Sequence, residues 1–241
     1  MSTVDFCTFC YAGDAHRLHK LGQLEKQVSS NGYNFHRVII IYQLCNPDNY
    51  EYPRCSYQTY QVTIGDIDAI LKSSGIDLNR EQYSSSIDKH HTWKQHAVNH
   101  LMAVNMSQSD YIVFADNDCW MIKQPDSWVA RGIEILKQNP DIFIVSPNDG
   151  EESRLTQTIS QQMFMTRTKE FRNIDWNQPG FSGNVRDYPE MPEYHAMAEG
   201  RIHHYCKANN KYRYVLPPDY RYWHHNRLNE EGNFETRYDR Y

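Results

Sequence analysis

The run Tyr111-Ile112-Val113-Phe114-Ala115, closed by Asp116-Asn117-Asp118, constrains this chain more than any other segment. Five consecutive apolar residues, rich in β-branched and aromatic side chains, leave no polar face. That is the pattern of a strand buried on both sides in the middle of a sheet. Such a strand delivers whatever follows it to the C-terminal edge of the sheet, where open α/β sheets bind their ligands. Here it delivers two carboxylates with one residue between them. Hard oxygen ligands of this kind suit a divalent cation such as Mg²⁺ or Mn²⁺, above all one whose other ligands come from a diphosphate. As a lone triplet it would read as an Asx turn whose side chains satisfy backbone amides. Its context decides for the ligand reading.

Upstream stands Lys94-Gln95-His96-Ala97-Val98-Asn99, followed by Leu101, Ala103, Val104 and a Ser-Gln-Ser-Asp turn. Ala97, Leu101 and Val104 recur at helical spacing, which predicts a helix over residues 92–105 that packs beside the acid-bearing strand and carries Lys94 and Asn99. The succession K-x-x-A-x-N, helix, turn and DYIVFADND resembles the sugar-nucleotide binding segment of GT-A glycosyltransferases, over roughly thirty residues. The departures from that pattern are Asn117 at the centre of the triplet and the His-rich start of the helix. The resemblance implies an α/β fold of GT-A, Rossmann-like type, with a mainly parallel sheet flanked by helices and a C-terminal acceptor-side region. It also implies that Lys94 and Asn99 lie near the nucleotide, that Asp118 ligates the metal directly, and that Asp116, with Asn117 beside it, bonds the ribose or helps through water.

Composition sets the outer limits. A chain of 241 residues with no low-complexity tract is long enough for one well-buried α/β domain. The formal net charge of −5 and the lack of a dense Lys/Arg run argue against a nucleic-acid surface. No stretch is apolar for the length a bilayer demands, and Met1-Ser2-Thr3-Val4-Asp5 has no basic-then-apolar pattern, so a cytoplasmic protein without a transmembrane segment is expected. Six cysteines stand at positions 7, 10, 45, 55, 119 and 206. Cys7 and Cys10 form a C-x-x-C inside a predicted strand, where positions three apart face opposite ways, so reduced structural thiols are expected rather than zinc ligands.

Along the chain, residues 4–11 read as the first strand. Asp14 is a suitable N-cap for a helix whose buried stripe is Leu18, Leu21 and Val28 and which closes at Asn31-Gly32. Residues 35–42 are a second, β-branched strand, completing a βαβ start whose first loop is a natural base or ribose contact. By the GT-A resemblance, the loop from Tyr11 to Asp14 meets the nucleotide, with Asp14 the foremost residue. Residues 62–64 read as a short strand and 66–73 as a short helix. Pro125-Asp126 starts another helix with Trp128, Ile133 and Leu136 on its core face, and residues 142–145 and 163–166 read as strands. The alternation of strand and helix indicates a mainly parallel sheet covered on both faces.

Beyond about residue 146 the chain changes character. Residues 176–192 form a loop rich in Gly, Pro and aromatic residues, suited either to gripping a sugar acceptor or to anchoring an ordinary surface loop. Glu199 opens a helix carrying Ile202 and Tyr205. In inverting GT-A enzymes an acidic residue at the head of a late helix is the general base, and Glu199-Gly200-Arg201-Ile202 resembles that position, with Glu193 and Asp187 as competitors. A first-turn carboxylate favoured by the helix dipole is the plain alternative. Tyr222-Trp223-His224-His225-Asn226-Arg227 follows a strand over residues 212–216. Many GT-A proteins supply a C-terminal histidine to the metal, which the resemblance assigns to His224 or His225. His96 and His100 share a helix face at i, i+4, but no H-E-x-x-H accompanies them.

The resulting expectation is one GT-A-like domain, with residues 1–145 as the nucleotide-sugar half and 146–241 as the acceptor and catalytic half. Its activity would be that of a metal-dependent, hexosyltransferase-like glycosyltransferase that moves a sugar from a nucleotide-diphosphate donor, a UDP-sugar favoured, to a hydroxyl of a carbohydrate or glycoconjugate. Mn²⁺ or Mg²⁺ is the expected ion and Glu199 the expected base. The alternatives are a retaining glycosyltransferase with the same donor site, a sugar nucleotidyltransferase, which should carry a Gly-rich phosphate loop, and a non-catalytic carbohydrate-binding protein. The last would not require Lys94, Asn99 and paired acids in register.

Overall fold

A computed structural model describes residues 2–11, 23–43, 58–62, 100–148, 153–157, 159–160, 162–174, 198–223, 227–228 and 234–235. In chain order the elements are β1 (Val4–Tyr11), α1 (Gln23–Ser30), β2 (Arg37–Gln43), β3 (Gln58–Val62), helical residues 100–106 as α2, β4 (Tyr111–Asp116), β5 (Trp120–Lys123) and α3 (Trp128–Gln138). Then come β6 (Ile142–Ser146), β7 (Arg154–Thr156), β8 (Met163–Arg167), α4 (Thr168–Phe171), α5 (Ala198–Ala208), β9 (Tyr212–Val215), β10 (Arg221–Trp223), β11 (Arg227–Leu228) and β12 (Phe234–Glu235).

Eight strands form one sheet in the order β3-β2-β1-β4-β8-β6-β9-β7. The pairs β3-β2, β2-β1, β1-β4 and β6-β9 are parallel, whereas β8 runs antiparallel to both β4 and β6. The expected mainly parallel α/β sheet is therefore present, with β8 reversed in its middle and β7 reversed at its edge against β9. Because β4 and β6 each oppose β8, they point the same way, and their C-terminal ends share an edge with those of β1 and β9.

Burial follows from the pleat. Along β4, Ile112 and Phe114 join the cluster that contains Leu101, Ala103 and Val104 of α2 and Ala198, Ile202 and Cys206 of α5. Tyr111, Val113 and Ala115 join the opposite cluster with Trp128, Val129, Ile133 and Leu136 of α3. Both faces of β4 are thus covered by helices, which is why its sequence has no polar alternation. In β6 the alternation slips where a register shift occurs between Ile142 and Ile144, so Phe143 and Ile144 reach the same cluster. Gly132 lets α3 lie close to the sheet, since a Cβ there would come within 2.5 Å of the Met165 methyl.

Several expected boundaries move for identifiable reasons. α3 begins at Trp128 rather than at Pro125-Asp126, because Ser127 is extended and its hydroxyl accepts from the Ala130 amide as an N-cap. Of the short strand expected over 62–64, only Val62 is described, as the end of Gln58–Val62, which extends the sheet beyond β2; residues 63 and 64 lie outside the described residues. α1 closes as expected, with Gly32 at φ 60°. Its buried stripe in the described part is Leu24, Gln27 and Asn31, with Val28 only half-buried; Leu18 and Leu21 lie outside the described residues. The expected helix over 66–73 and loop over 176–192 also lie outside them. His100 is enclosed in the core, its ring 4.7 Å from that of Phe9 and 4.8 Å from that of Phe114.

At the opposite end of the sheet, the fully buried Asp5 organises the strand starts. It accepts from Arg37 Nη2 at 2.8 Å, Ser107 Oγ at 2.8 Å, Ser109 Oγ at 2.7 Å and the Gln108 amide at 3.3 Å. Arg37 also donates to Met106 O, and Arg172 to Val104 O and Ser107 O, so two guanidinium groups satisfy the carbonyls left open at the end of α2. His36 Nδ1 lies 3.1 Å from Asp5 and 3.2 Å from Ser109 Oγ, but Ser109 donates straight to the carboxylate, so no imidazole relays its proton as a serine nucleophile requires.

Burial would raise the Asp5 carboxyl, yet the bonds from Arg37, Ser109, Ser107 and His36 outweigh it and hold the carboxyl below its usual value. A depressed carboxylate contributes stability above its unfolded pKa and loses that contribution as pH falls through the folded value. Asp5→Ala should therefore cost about 3–5 kcal/mol at neutral pH, the range for stranding one partner of a buried pair. In urea melts below about pH 4 the gap between wild type and Asp5→Ala should narrow; a gap independent of pH would contradict the assignment.

Candidate active site

Asp116 is the last residue of β4 and keeps the parity of Ile112 and Phe114, so its side chain leaves on the face covered by α2 and α5. On that face α5 buries Ala198, Ile202 and Cys206 at i, i+4 and i+8, which sets Glu199, half-buried in the first turn, at the same edge of the sheet. The pleat of one element and the period of the other thus bring Asp116 and Glu199 together from positions 83 residues apart in sequence.

Past Asp116 the chain turns tightly. The Cys119 amide donates to Asp116 O at 3.0 Å and closes a four-residue turn over Asp116-Asn117-Asp118-Cys119. The Asp116 amide donates to Gln162 O at 2.8 Å, so β8 anchors the turn's entry. Ligand atoms of Asp116, Asp118 and Cys119 all lie within 4.8 Å of one another. Burial, and then the charges of Asp118 and Glu199, push the Asp116 carboxyl well above its ordinary range. The Cys119 thiol is pushed well up by burial and by the same two aspartates. A thiol held protonated is a poor ligand, so the donor set is two carboxylate groups, which fits a hard cation. The mutual repulsion of the acids is what such a cation would relieve.

Gln27 was not foreseen at this site. From α1 its side-chain amide donates to Asp116 O at 2.6 Å and to Cys119 O at 2.9 Å, bracketing the acidic turn. The signal was available: Leu24, Gln27 and Asn31 stand at i, i+3 and i+7, so a polar residue occupies the stripe that should be apolar.

The other expected residues divide by what the structure describes. Tyr11 ends β1 two residues beyond Phe9, the register partner of Asp116, so its backbone is at the same edge. Asn117 is buried within the turn. The antiparallel ribbon of β5 and β10 sets Trp223 opposite Trp120, so the strand that leads into His224 and His225 ends beside the acidic turn. Tyr222 of that strand donates to Gln162 Oε1 at 2.9 Å, tying it to the residue that anchors Asp116. Asp14, Lys94, Asn99, His224 and His225, with the competing Asp187 and Glu193, lie outside the described residues. No helix among the described residues is long and apolar enough to cross a membrane.

Residues 77–195, just under half of the chain, match the family model of glycosyl transferase family 2. The matched segment includes Lys94, Asn99 and Asp116-Asn117-Asp118 and stops short of Glu199. No curated protein matches the sequence. Among solved structures, mouse xyloside xylosyltransferase 1 in its apo form is similar at a TM-score of 0.49 and 8% identity, covering 90% of this chain and 85% of that one. A197 from STIV is similar at 0.44 and 11%, covering 95% and 92%, and the galactosyltransferase LgtC with donor and acceptor sugar analogs at 0.44 and 11%, covering 84% and 70%.

If the acids repel as their placement indicates, Asp116→Asn should melt higher than wild type in EDTA, by about 2–4 °C for each kcal/mol of repulsion removed. The raised carboxyl makes the folded chain hold a proton that the unfolded chain has released, so wild type loses stability relative to the variant as pH rises above about 4. Differential scanning calorimetry between pH 4 and 8 would test this. A variant that melts lower throughout would contradict it.

Proposed function

We propose that this chain is a nucleotide-diphospho-sugar transferase of GT-A type, and within that class a metal-dependent, inverting glycosyltransferase that transfers a sugar to a hydroxyl of a carbohydrate or glycoconjugate; the match of residues 77–195 to glycosyl transferase family 2 supports the class. The observation that carries the reading is the convergence of Asp116, Asp118 and Glu199 at the C-terminal edge of the sheet, strong enough electrostatically for both neighbours to raise the Asp116 carboxyl. A binding module has no need of three mutually repelling acids.

Asp118 is assigned as the direct ligand of Mn²⁺ or Mg²⁺, with Asp116 supporting it or bonding the ribose. When bound, the ion supplies positive charge to the donor's diphosphate as it leaves. Lys94, Asn99, Tyr11 and Asp14 are assigned to the nucleotide, a UDP-sugar favoured, and one of His224 and His225 to the ion. Glu199, at the head of α5, takes the proton of the acceptor hydroxyl as that oxygen forms its bond to the anomeric carbon. The bond from this carbon to the diphosphate breaks on the opposite face, and its electron pair leaves with the phosphate oxygen. Inversion follows from attack opposite the leaving group. A cytoplasmic setting, where nucleotide sugars are made, suits this donor.

The first test is slow hydrolysis of UDP-sugars and GDP-sugars, expected with Mn²⁺ and absent in EDTA. Asp118→Ala should remove Mn²⁺-dependent nucleotide binding while the fold persists. Glu199→Gln keeps the shape and removes the base, so donor affinity should remain and transfer should fall by about 10²–10⁴-fold. Wild-type transfer in Glu199→Gln would overturn the assignment of the base, and a product that keeps the donor's anomeric configuration would replace inversion with retention.

A further inference from the structure

We propose that Gln27 is a positioning residue for the acidic turn, its side-chain amide fixing the separation of the Asp116 and Asp118 carboxylates through the backbone that carries them. The inference rests on the metal reading above for what the turn binds.

A primary amide has two hydrogens, and Gln27 directs them to the carbonyls of the first and last residues of the turn, Asp116 at 2.6 Å and Cys119 at 2.9 Å. Gln27 is fully buried, so water does not compete for either bond. Asp116 O also accepts from the Cys119 amide at 3.0 Å, so both of its lone pairs are engaged. With the carbonyls at both ends of a four-residue turn held by one rigid planar group, the peptide planes on either side of Asn117-Asp118 have little freedom to rotate. The directions in which the two aspartate side chains leave the backbone are set accordingly.

The backbone that carries Gln27 is itself held. Asn31 Nδ2 donates to Gln27 O at 2.8 Å, and Asn31 Oδ1 accepts from Trp128 Nε1 at 2.8 Å. One turn along α1, Ser30 Oγ accepts from the Met121 amide at 3.2 Å and Ser30 O from Gln124 Nε2 at 2.7 Å. α1 therefore grips the chain both at the acidic turn and beyond it, through Gln27, Ser30 and Asn31. These are polar residues on a helix that would need only apolar ones if its task were to cover the sheet.

Two carboxylates within 4.8 Å repel one another, and in a free turn they would diverge. A cation would then have to draw them together against that repulsion. With Gln27 holding the backbone, the pair is already convergent, and binding requires little rearrangement. Groups standing behind metal ligands commonly change affinity by about 10–100-fold when removed.

The test is a titration with Mn²⁺ alone, following the free ion by electron paramagnetic resonance, at a temperature well below each protein's melting point. Wild type, Asp118→Ala, Gln27→Met and Gln27→Asn would be compared, with circular dichroism to establish that each is folded. Gln27→Met keeps the side chain's length and removes its donors, and it should bind Mn²⁺ at least about tenfold more weakly than wild type. Gln27→Asn is too short to span both carbonyls and should fall between the two; if the methionine variant does not fold, Gln27→Asn carries the comparison by itself. Variants that melt lower yet keep wild-type Mn²⁺ affinity would reduce Gln27 to a packing role and overturn the proposal. If wild type and Asp118→Ala bind alike, or wild type does not bind Mn²⁺, the metal reading falls and takes the inference with it. If only Asp118→Ala loses the ion, the metal reading stands and the inference alone falls.

Discussion

Helices cover both faces of β4, so no side chain between Ile112 and Ala115 reaches water, and the first position at which a charge is tolerable is the one where the strand leaves the sheet. The rest of the arrangement depends on this limit. It fixes Asp116 at the edge, while the pleat chooses the face on which its carboxylate emerges. The paired strands on each side, β1 and β8, hold the strand end in register. The acids are therefore placed by the packing of apolar residues several positions before them, and a substitution such as Phe114→Ala would disturb the site through the sheet without touching it.

A second constraint is that a site of like charges must be assembled by something other than its own attractions. Asp116, Asp118 and Glu199 raise one another's cost, and the stabilising interactions are found behind them: the core stripe of α5, the ribbon of β5 and β10, and the α1 amides. Asp5 at the far end of the same sheet is the converse case. There a fully buried carboxylate is matched by a guanidinium and two hydroxyls, and it stabilises the starts of the strands as an anion. The contrast separates the two carboxylates: at Asp5 the hydrogen bonds outweigh burial, whereas at Asp116 burial and the neighbouring charges prevail.

Much of this was legible in the sequence. The strands β1, β2, β4 and β6 announce themselves by their apolar residues, and the D-x-D triplet stands, as expected, where β4 leaves the sheet. What escaped was of three kinds. The reversal of β8 is not encoded in its composition, since Met163-Phe164-Met165-Thr166 reads as a strand of either direction; only its partners decide. Gln27 escaped because the buried stripe of its helix was sought in the apolar residues Leu18, Leu21 and Val28, although Leu24 and Asn31 share the face on which Gln27 is buried. The β5-β10 ribbon escaped for a third reason: it joins segments about a hundred residues apart, and no local pattern records such a pairing.

The reversal of β7 against β9 has an evolutionary consequence. β6 ends at Ser146 on the edge that carries the acids, and β7 starts on that same edge, where Arg154 pairs with Val215 at the end of β9. Both ends of the connection between β6 and β7 therefore lie on one rim of the sheet. Lengthening such an excursion costs only the slowly growing entropy of closing a longer loop, about 0.6 kcal/mol for each doubling. Descendants of this chain can enlarge, shrink or exchange that segment, and so change what is presented beside the acids, while every buried strand keeps its register.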